Sequence, residues 1–367
     1  MNSHLDNPGG AKGTSPQSLA SENPMGTCGF AFIEFATHDA SPMMALFESF
    51  GFTAVAHHRE KPIMLYQQGE IIFMLNTSVE GFAAEFVAKH GPCCCSVGFR
   101  VKDAKNAMKH AHVQHADEYT RGNQSFCLPT LCGVGGSLIY LIDDKGKRYF
   151  EKEFLPIGNP CWNNNCGLTE IDHLTHNVFR GHMDQWAEYY ERVFNFREIR
   201  YFDIKGQHTG LVSRAMTSPC GKIRIPINES SDDQSQIEEY LHQYKGEGIQ
   251  HIALGTNNIY ASIEALKARK LSFLTVPDSY YDAVYTRLEN HGEDLDQLRQ
   301  YRILIDGEID ANKRKILLQI FTNNCIGPIF FEIIQRKGDQ GFGEGNFQAL
   351  FESIETDQLQ RGVIKYD

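Results

Sequence analysis

Three features that place many chains in a functional class are missing from this sequence. Its ten cysteines include no Cys-x-x-Cys pair, so neither a zinc ribbon nor a thioredoxin-like site is indicated. No apolar run approaches the ~18 residues needed to cross a membrane. The formal net charge is −11 and no long basic run is present. We therefore expect no membrane partner and no nucleic-acid partner.

The first part of the chain, residues 1–27, lacks apolar character. It is rich in Ser, Asn, Pro and Gly and has no apolar core of the kind found in a signal peptide. This composition predicts a disordered N-terminal arm. With cysteines that we interpret as reduced thiols, it also predicts a cytoplasmic protein.

A repeated pattern organises the rest of the chain. Each of four stretches consists of a short strand, an amphipathic helix and then two or three further strands. The four stretches open at Gly29, Cys93, Ile171 and Ile249. The charged and Asn-rich residues from Asp143 to Gly167 are typical of a loop and predict a linker. The pattern therefore predicts a duplicated chain with one domain at residues 28–155 and a second at 156–367.

Three residues of the second half are candidate metal ligands. His173 and His251 lie in the opening strands of the third and fourth stretches, and Glu332 lies in the apolar run Ile329–Ile334. A carboxylate in a buried strand is costly unless it is paired or binds a metal. Two imidazoles and one carboxylate on a curved sheet leave open positions typical of non-haem Fe(II) oxygenases, although zinc takes the same ligands. The alternative is an ion-paired core glutamate and two core histidines with satisfied hydrogen bonds.

The first half offers no comparable ligand set. The matching positions of its pattern are Phe32, Ser96 and Tyr140, none of which is a good metal ligand. Duplication followed by loss of the ligands would produce this difference. The pattern therefore predicts one metal site per chain, in the second half.

Six motifs carry a resemblance to a known family. In chain order they are I-D-H-L-T-H-N-V, S-P-C-G-K-I-R-I-P-I-N-E, G-I-Q-H-I-A-L, L-L-Q-I-F-T, I-F-F-E-I-I-Q-R and G-F-G-E-G-N-F. At these motifs the chain resembles the 4-hydroxyphenylpyruvate dioxygenase family of the vicinal oxygen chelate superfamily. The resemblance implies an α+β fold, glyoxalase-like, with two domains of paired βαβββ units. Each domain would be an open barrel of mixed sheet with helices outside, and a C-terminal helix would gate the second.

The resemblance also implies roles for individual residues. The ligands of one Fe(II) per chain fall on His173, His251 and Glu332. The implied catalytic positions are Gln319, Asn346 and Phe347. The implied substrate-binding positions are Ser213, Asn228, Gln236, Gln250, Phe321, Phe330 and Phe342. A C-terminal helix is predicted from the spacing of Phe347, Leu350, Phe351 and Ile354.

The function that the resemblance implies is an Fe(II)-dependent 2-oxo-acid dioxygenase. It would convert 4-hydroxyphenylpyruvate and O2 to homogentisate and CO2 in tyrosine breakdown, as a homodimer or homotetramer. The alternative enzyme is 4-hydroxymandelate synthase, which uses the same substrate and metal. An extradiol catechol dioxygenase is a more distant alternative. The alternative outside enzymes is a small-molecule-binding protein of the same fold, which would need a degraded ligand set.

Overall fold

The computed structural model describes residues 22–158, 165–205, 209–309, 313–343, 345–348, 358–359 and 362. Within these residues, two eight-stranded sheets carry the fold. The first sheet contains β1 (Thr27–Ala36), β2 (Thr53–His58), β3 (Ile63–Gln68), β4 (Ile71–Asn76), β5 (Cys93–Val101), β6 (Thr130–Cys132), β7 (Leu138–Ile142) and β8 (Phe154–Pro156). The second sheet contains β9 (Leu168–Val178), β10 (Arg197–Lys205), β11 (Gly210–Thr217), β12 (Arg224–Ser230), β13 (Gly248–Thr256), β14 (Leu304–Ile309), β15 (Arg314–Phe321) and β16 (Phe330–Lys337).

Helices connect these strands. They are α1 (Ala40–Ser49), α2 (Gly81–His90), α3 (Ala104–Val113), α4 (Asp144–Glu153), α5 (Met183–Phe194), α6 (Gln236–Tyr244), α7 (Ile259–Ala268), α8 (Asp278–Arg287) and α9 (Leu295–Tyr301). Short acceptor side chains before several helices bind the first free backbone N–H groups, which fixes where those helices begin. The residues that do this are Asp39, Asp103, Asp143, Asn258 and Asp294.

Seven strands have the same order in the two sheets when one order is read in reverse, and β8 at an edge of the first sheet and β14 at an edge of the second have no counterpart. The orders are β6-β7-β5-β1-β4-β3-β2-β8 and β10-β11-β12-β9-β13-β16-β15-β14. In each repeat unit the opening strand pairs in parallel with the closing strand, as β1 does with β4 and β9 with β12. The opening strands of the two units in a sheet pair with each other antiparallel. This arrangement confirms the predicted α+β fold of paired βαβββ units.

Aromatic side chains pack the two halves against each other. The ring of Phe331 on β16 lies 4.6 Å from that of Phe50 and 6.5 Å from that of Phe35, measured between centroids. The side chain of Gln68 accepts hydrogen bonds from the backbone N–H groups of Cys166 and Leu168 at the start of the second half. The face of the second sheet that carries Phe331 is thus part of a core shared with the first half.

Two segments are more ordered than their composition suggested. The predicted arm ended at residue 27, yet Met25 is buried and the side chain of Asn23 binds Thr27, where β1 begins. The segment Asp143–Gly167, predicted as a loop, contains α4 and β8. Helix α4 forms because Asp143 caps it and because Phe150 packs 5.6 Å from the ring of Phe32.

Two further predictions concern membranes and the C-terminus. No described helix is long and apolar enough to cross a membrane. Residues 345–348 are helical, and the rest of the predicted C-terminal helix, with Leu350, Phe351 and Ile354, lies outside the described residues.

Candidate metal centre

Strand pairing brings the three predicted ligands together. Ala253 on β13 is paired with His173 on β9 on one side and with Glu332 on β16 on the other. His251 lies two residues before Ala253 on the same strand and is paired with Thr175. Because side chains at i and i+2 of a strand share a face, all three ligands point to the same side of the sheet.

The ligand atoms converge on one point. The Nε2 atoms of His173 and His251 are 3.4 Å apart, and they lie 3.2 and 3.5 Å from Oε2 of Glu332. All three residues are buried, with at most 3% of any of them exposed. They form the group of His, Cys, Asp and Glu side chains that could hold a metal ion among the described residues.

The electrostatics of the group favour a cation. Burial alone would raise the pKa of Glu332, but the charge of His173 and hydrogen bonds from both imidazoles outweigh it and lower the pKa to about 2. Burial lowers the pKa of His251. For His173, burial also acts to lower the pKa, but Glu332 and Asp172 prevail and raise it. A carboxylate between two imidazoles thus attracts positive charge, whether a proton or a metal ion.

The outer partners of the two imidazoles leave both Nε2 atoms facing the centre. Nδ1 of His173 lies 2.9 Å from Oδ1 of Asp172, and Nδ1 of His251 lies 3.2 Å from Oε1 of Gln250. Both partners are oxygen acceptors, so each Nδ1 donates its proton to them. In the neutral imidazoles that a metal ion requires, this leaves the lone pair on Nε2. Gln250 reaches His251 because it falls at an irregularity in the pairing of β13 with β9. The donors, their protonation and their spacing fit a divalent metal ion with open positions.

A pocket opens beside the three ligands. Besides the ligands it is lined by Thr175, Phe202, Ser213, Pro226, Gln319, Phe321, Phe342 and Phe347. Four of these are aromatic, and the ring of Phe347 stacks on that of Phe202 at 6.0 Å. An apolar pocket with a few polar groups and a metal site is the usual form of a small-molecule site.

A row of polar side chains crosses the sheet next to the pocket. Ser213 is paired with Asn228, which is paired with Asn177. Nδ2 of Asn228 donates to Oδ1 of Asn177 at 3.2 Å. Oγ of Ser213, Oδ1 of Asn228 and Nδ2 of Asn177 are buried without a partner. Since buried polar groups are normally hydrogen-bonded, these atoms suggest a polar ligand at this end of the pocket.

The other predicted site residues fall at different distances from the pocket. Gln319 donates to Oε1 of Glu332 at 2.8 Å and accepts from Asn346 at 2.8 Å, which places Asn346 behind Gln319. The ring of Phe330 stacks on that of His251 at 4.8 Å, and Phe330 is not among the residues that line the pocket. Gln236 is half-buried at the start of α6 and does not line the pocket. Its substrate role stays a prediction.

Sequence reasoning missed several residues of the site. Oγ1 of Thr175 lies 2.9 Å from Nε2 of His251. Asp172 binds His173, and Asn177 belongs to the polar row next to the pocket. Asn177 and Thr175 share the period-two face of His173, which is a signal that the sequence does contain. Arg336, which binds Asp172, carried no such signal because the two residues are 164 positions apart.

The first half confirms its predicted equivalents. Phe32 and Tyr140 are both paired with Gly98, as His173 and Glu332 are with Ala253. Ser96 is paired with Glu34, as His251 is with Thr175. The register thus places Phe32, Ser96 and Tyr140 where the second half has its ligands, and the first half has no metal-ligand set there.

The duplicated βαβββ fold and the buried triad define a glyoxalase-like protein with a candidate metal centre. Residues 170–296 match the family described as the glyoxalase, bleomycin resistance protein and dioxygenase superfamily. Residues 21–155 match the family described as hydroxyphenylpyruvate dioxygenase, N-terminal.

Similar proteins narrow this class. The chain is 54% identical to a 4-hydroxyphenylpyruvate dioxygenase of Pseudomonas aeruginosa, over 94% of this chain and 98% of the relative. It is also 54% identical to a Vibrio vulnificus protein named hemolysin VllY, over 93% of this chain and 98% of the relative. A solved mutant of 4-hydroxymandelate synthase from Streptomyces coelicolor shares the fold, with a TM-score of 0.76 and 23% identity over 90% of this chain and 99% of that one. The chain belongs to the 4-hydroxyphenylpyruvate dioxygenase family.

Proposed function

We propose that this chain is an Fe(II)-dependent 4-hydroxyphenylpyruvate dioxygenase. It converts 4-hydroxyphenylpyruvate and O2 to homogentisate and CO2, a step of tyrosine and phenylalanine catabolism. The observation that carries the proposal is the buried triad of His173, His251 and Glu332 beside an aromatic pocket. The identity to named dioxygenases along nearly the whole chain supports it.

One Fe(II) per chain is the proposed cofactor. Two imidazoles and one carboxylate leave several positions open, which suits Fe(II) better than the closed sites of structural zinc. When bound, the ion supplies a centre at which the 2-oxo acid chelates and O2 reacts. Asp172 and Gln250 hold the Nδ1 protons of the two imidazoles, so that both Nε2 atoms stay available.

The aromatic lining positions the substrate ring and excludes water. Phe342 and Phe347 come from the C-terminal segment and Phe321 from β15. Phe330 holds the imidazole of His251 from behind by stacking. A dry pocket matters here because a reactive intermediate open to water would be lost before the ring is hydroxylated. The predicted C-terminal helix would serve as the gate of this pocket.

Polar groups at the far end of the pocket suit the phenol of the substrate. Oγ of Ser213 and Oδ1 of Asn228 lack partners, and a phenolic hydroxyl can both donate and accept. Asn177 accepts a hydrogen bond from the amide nitrogen of Asn228, and the oxygen of that amide stays without a partner. We assign a substrate contact to Gln236 and Gln250 on the resemblance alone.

Gln319 is the proposed catalytic side chain next to the centre. Its amide donates both to Glu332 and to the carbonyl of Phe342, and its oxygen accepts from Asn346. Gly343 permits this close approach, since a Cβ there would lie 2.4 Å from Oε1 of Gln319. Gln319 therefore holds the backbone of Phe342 near the ligands, and Asn346 links the residue next to Phe347 to Gln319.

The alternatives differ in product or in chemistry. 4-Hydroxymandelate synthase would use the same substrate. The similarity of this chain to its solved structure, at 23% identity, shows a common fold and no more. A binding protein of the same fold would need no intact ligand set. We further propose a homodimer or homotetramer in the cytoplasm, with substrate and O2 as the partners.

Product analysis tests the proposal. Purified chain loaded anaerobically with Fe(II) is mixed with 4-hydroxyphenylpyruvate and air-saturated buffer, and products are separated by chromatography. We expect homogentisate and CO2 in equal amounts, with none formed by chain loaded with Zn(II). 4-Hydroxymandelate as the main product would identify the synthase, and binding of substrate without turnover would identify a binding protein.

A further inference from the structure

Asp172 lies at the centre of a buried charge network behind the metal ligands. Its carboxylate is 4% exposed and accepts from His173, as described above. Arg336 binds it with two hydrogen bonds, Nε to Oδ2 at 2.7 Å and a terminal nitrogen to Oδ1 at 2.8 Å. Arg224 adds a further ion pair at 3.5 Å. Burial raises the pKa of Asp172, but Arg336 and His173 outweigh it and hold the pKa well below its usual range.

Both arginines also hold the segment that follows β16. Arg336 donates to the backbone carbonyls of Asp339 and Gly341, and Arg224 donates to the side chain of Gln340. The guanidinium of Arg336 lies 5.8 Å from the ring centroid of Phe342, within the range of a cation–π contact. Phe342 in turn meets the ring of His173 edge-on at 5.3 Å.

One side chain therefore serves two partners. Arg336 is 12% exposed and shares its donors between the carboxylate that orients His173 and the carbonyls that position Phe342. Glu332 is linked to the same segment, because Gln319 binds both Glu332 and the carbonyl of Phe342. The segment Asp339–Phe342 is thus tied to two of the three ligands through their outer partners.

We propose that Asp172 and Arg336 are positioning residues that couple the metal centre to the segment Asp339–Phe342. The inference rests on the proposed metal site and deepens it. When the segment is docked, Arg336 is fixed and holds Asp172 in line with Nδ1 of His173. When the segment moves away, Arg336 loses the carbonyl acceptors of Asp339 and Gly341 and its contact with the ring of Phe342. Asp172 is then held less firmly, and so is the imidazole of His173.

Coupling of this kind is reciprocal. If docking of the segment strengthens metal binding by some factor, metal binding strengthens docking by the same factor. A merely structural ion pair would instead change the stability of the whole chain, and metal binding and docking of the segment would stay independent of each other. The two measurements together therefore separate a positioning role from a structural one.

The test uses the full chain and three variants. Arg336→Gln removes the two-bond contact with Asp172, and Asp172→Asn keeps the size of the side chain but removes its charge. Lys337→Gln is the matched control, since Lys337 is the next residue of β16 and its ion pair, with Glu293 at 2.6 Å, involves neither Asp172 nor the segment. Circular dichroism checks that each variant is folded.

Two quantities are measured without turnover. Fe(II) affinity is determined by anaerobic equilibrium dialysis, and hydrogen exchange of the amides of residues 338–343 is followed with and without Fe(II). For wild type and Lys337→Gln we expect Fe(II) to slow this exchange. For Arg336→Gln and Asp172→Asn we expect Fe(II) affinity to fall about 10–100-fold, the usual effect of losing an outer partner of a ligand. In these two variants Fe(II) should slow the hydrogen exchange of residues 338–343 less than it does in wild type.

The outcomes separate this inference from the proposed function. If wild type binds Fe(II) and both variants bind it equally tightly with the same slowing of exchange, the coupling is wrong and the function stands. If wild type binds no Fe(II), the proposed function fails and the coupling with it. Should Arg336→Gln not fold, the isosteric Asp172→Asn decides alone, and unchanged affinity and exchange in it overturn the coupling.

Discussion

In the first half of the molecule Phe32 occupies the place that His173 occupies in the second. The strands around them have the same order and pairing, yet one site is filled by an aromatic cluster and the other by a candidate metal centre. The ring of Phe32 packs edge-on against those of Phe126 and Phe150. It also covers Gly98, where a Cβ would lie 2.6 Å from the ring.

A second pair of positions differs as much. Glu34 is fully buried, with Ser96 donating to one carboxyl oxygen at 2.5 Å and Asn76 to the other at 2.8 Å. Its equivalent in the second half is Thr175, which faces His251. The paired units therefore fix which positions lie together in each sheet. The residue types at those positions determine whether the side chains pack as a core or form a candidate metal site.

The largest expected effect comes from removing a ligand. His251→Ala should lose Fe(II) and about a thousandfold or more in turnover, since a metal centre contributes several kcal/mol to the reaction and each 1.36 kcal/mol is tenfold. Metal analysis and steady-state kinetics measure this, with circular dichroism to show that the fold persists. Ser96→Ala, at the equivalent position, should keep one iron per chain. Two tightly bound irons per wild-type chain would show that the first half also holds a metal ion.

The next effect concerns packing in the first half. Phe32→Ala should lower the free energy of unfolding by about 3–5 kcal/mol, as expected for a buried ring whose cavity does not collapse. Urea denaturation measures the loss. Iron content per folded chain should stay at the wild-type value. A variant that loses iron while remaining folded would show that the first half takes part in the metal centre.

A smaller loss is expected from the buried carboxyl of the first half. Glu34→Ala leaves Oγ of Ser96 without its acceptor, whereas Nδ2 of Asn76 still donates to Ser125, so we expect a loss of about 1–3 kcal/mol of stability for the one group left unpaired. Thermal unfolding measures it, and turnover at saturating substrate serves as the control and should not change. Reduced turnover in a fully folded variant would contradict the purely structural role.

The smallest expected effect tests the polar row of the second half. Asn177→Ala frees the amide of Asn228, so the substrate phenol should lose an oriented acceptor and KM should rise about tenfold, the equivalent of one good hydrogen bond. The rate at saturation should change less than KM. Ala36 is the equivalent in the first half, paired with Asn76, so Ala36→Ser is the matched control and should leave KM unaltered. Equal KM values in wild type and Asn177→Ala would show that Asn177 does not contribute to substrate binding.

Strong periodicity made several elements predictable from the sequence. The four predicted stretches open within β1, β5, β9 and β13, at Gly29, Cys93, Ile171 and Ile249. Helix α4 was missed because its sequence is charged and its stabilising contact, Phe150 on Phe32, joins residues 118 positions apart (150 minus 32). Period and composition do not report such distant contacts.

The repeat, the ligand residue types and the family could be predicted from the sequence, because these depend on local spacing and on motifs. It also indicated which copy lacks ligands, and the strand register later confirmed those positions. The contacts of Arg336 with Asp172 and of Asn177 with Asn228 were found only in the folded structure. Asn177 and Asn228 lie on the paired strands β9 and β12, whereas Asp172 and Arg336 lie on strands on either side of β13. Both contacts therefore depend on strand register and on the irregularities that shift it. The free energy that fixes that register comes from burial of the whole sheet face, which no short stretch of the sequence contains.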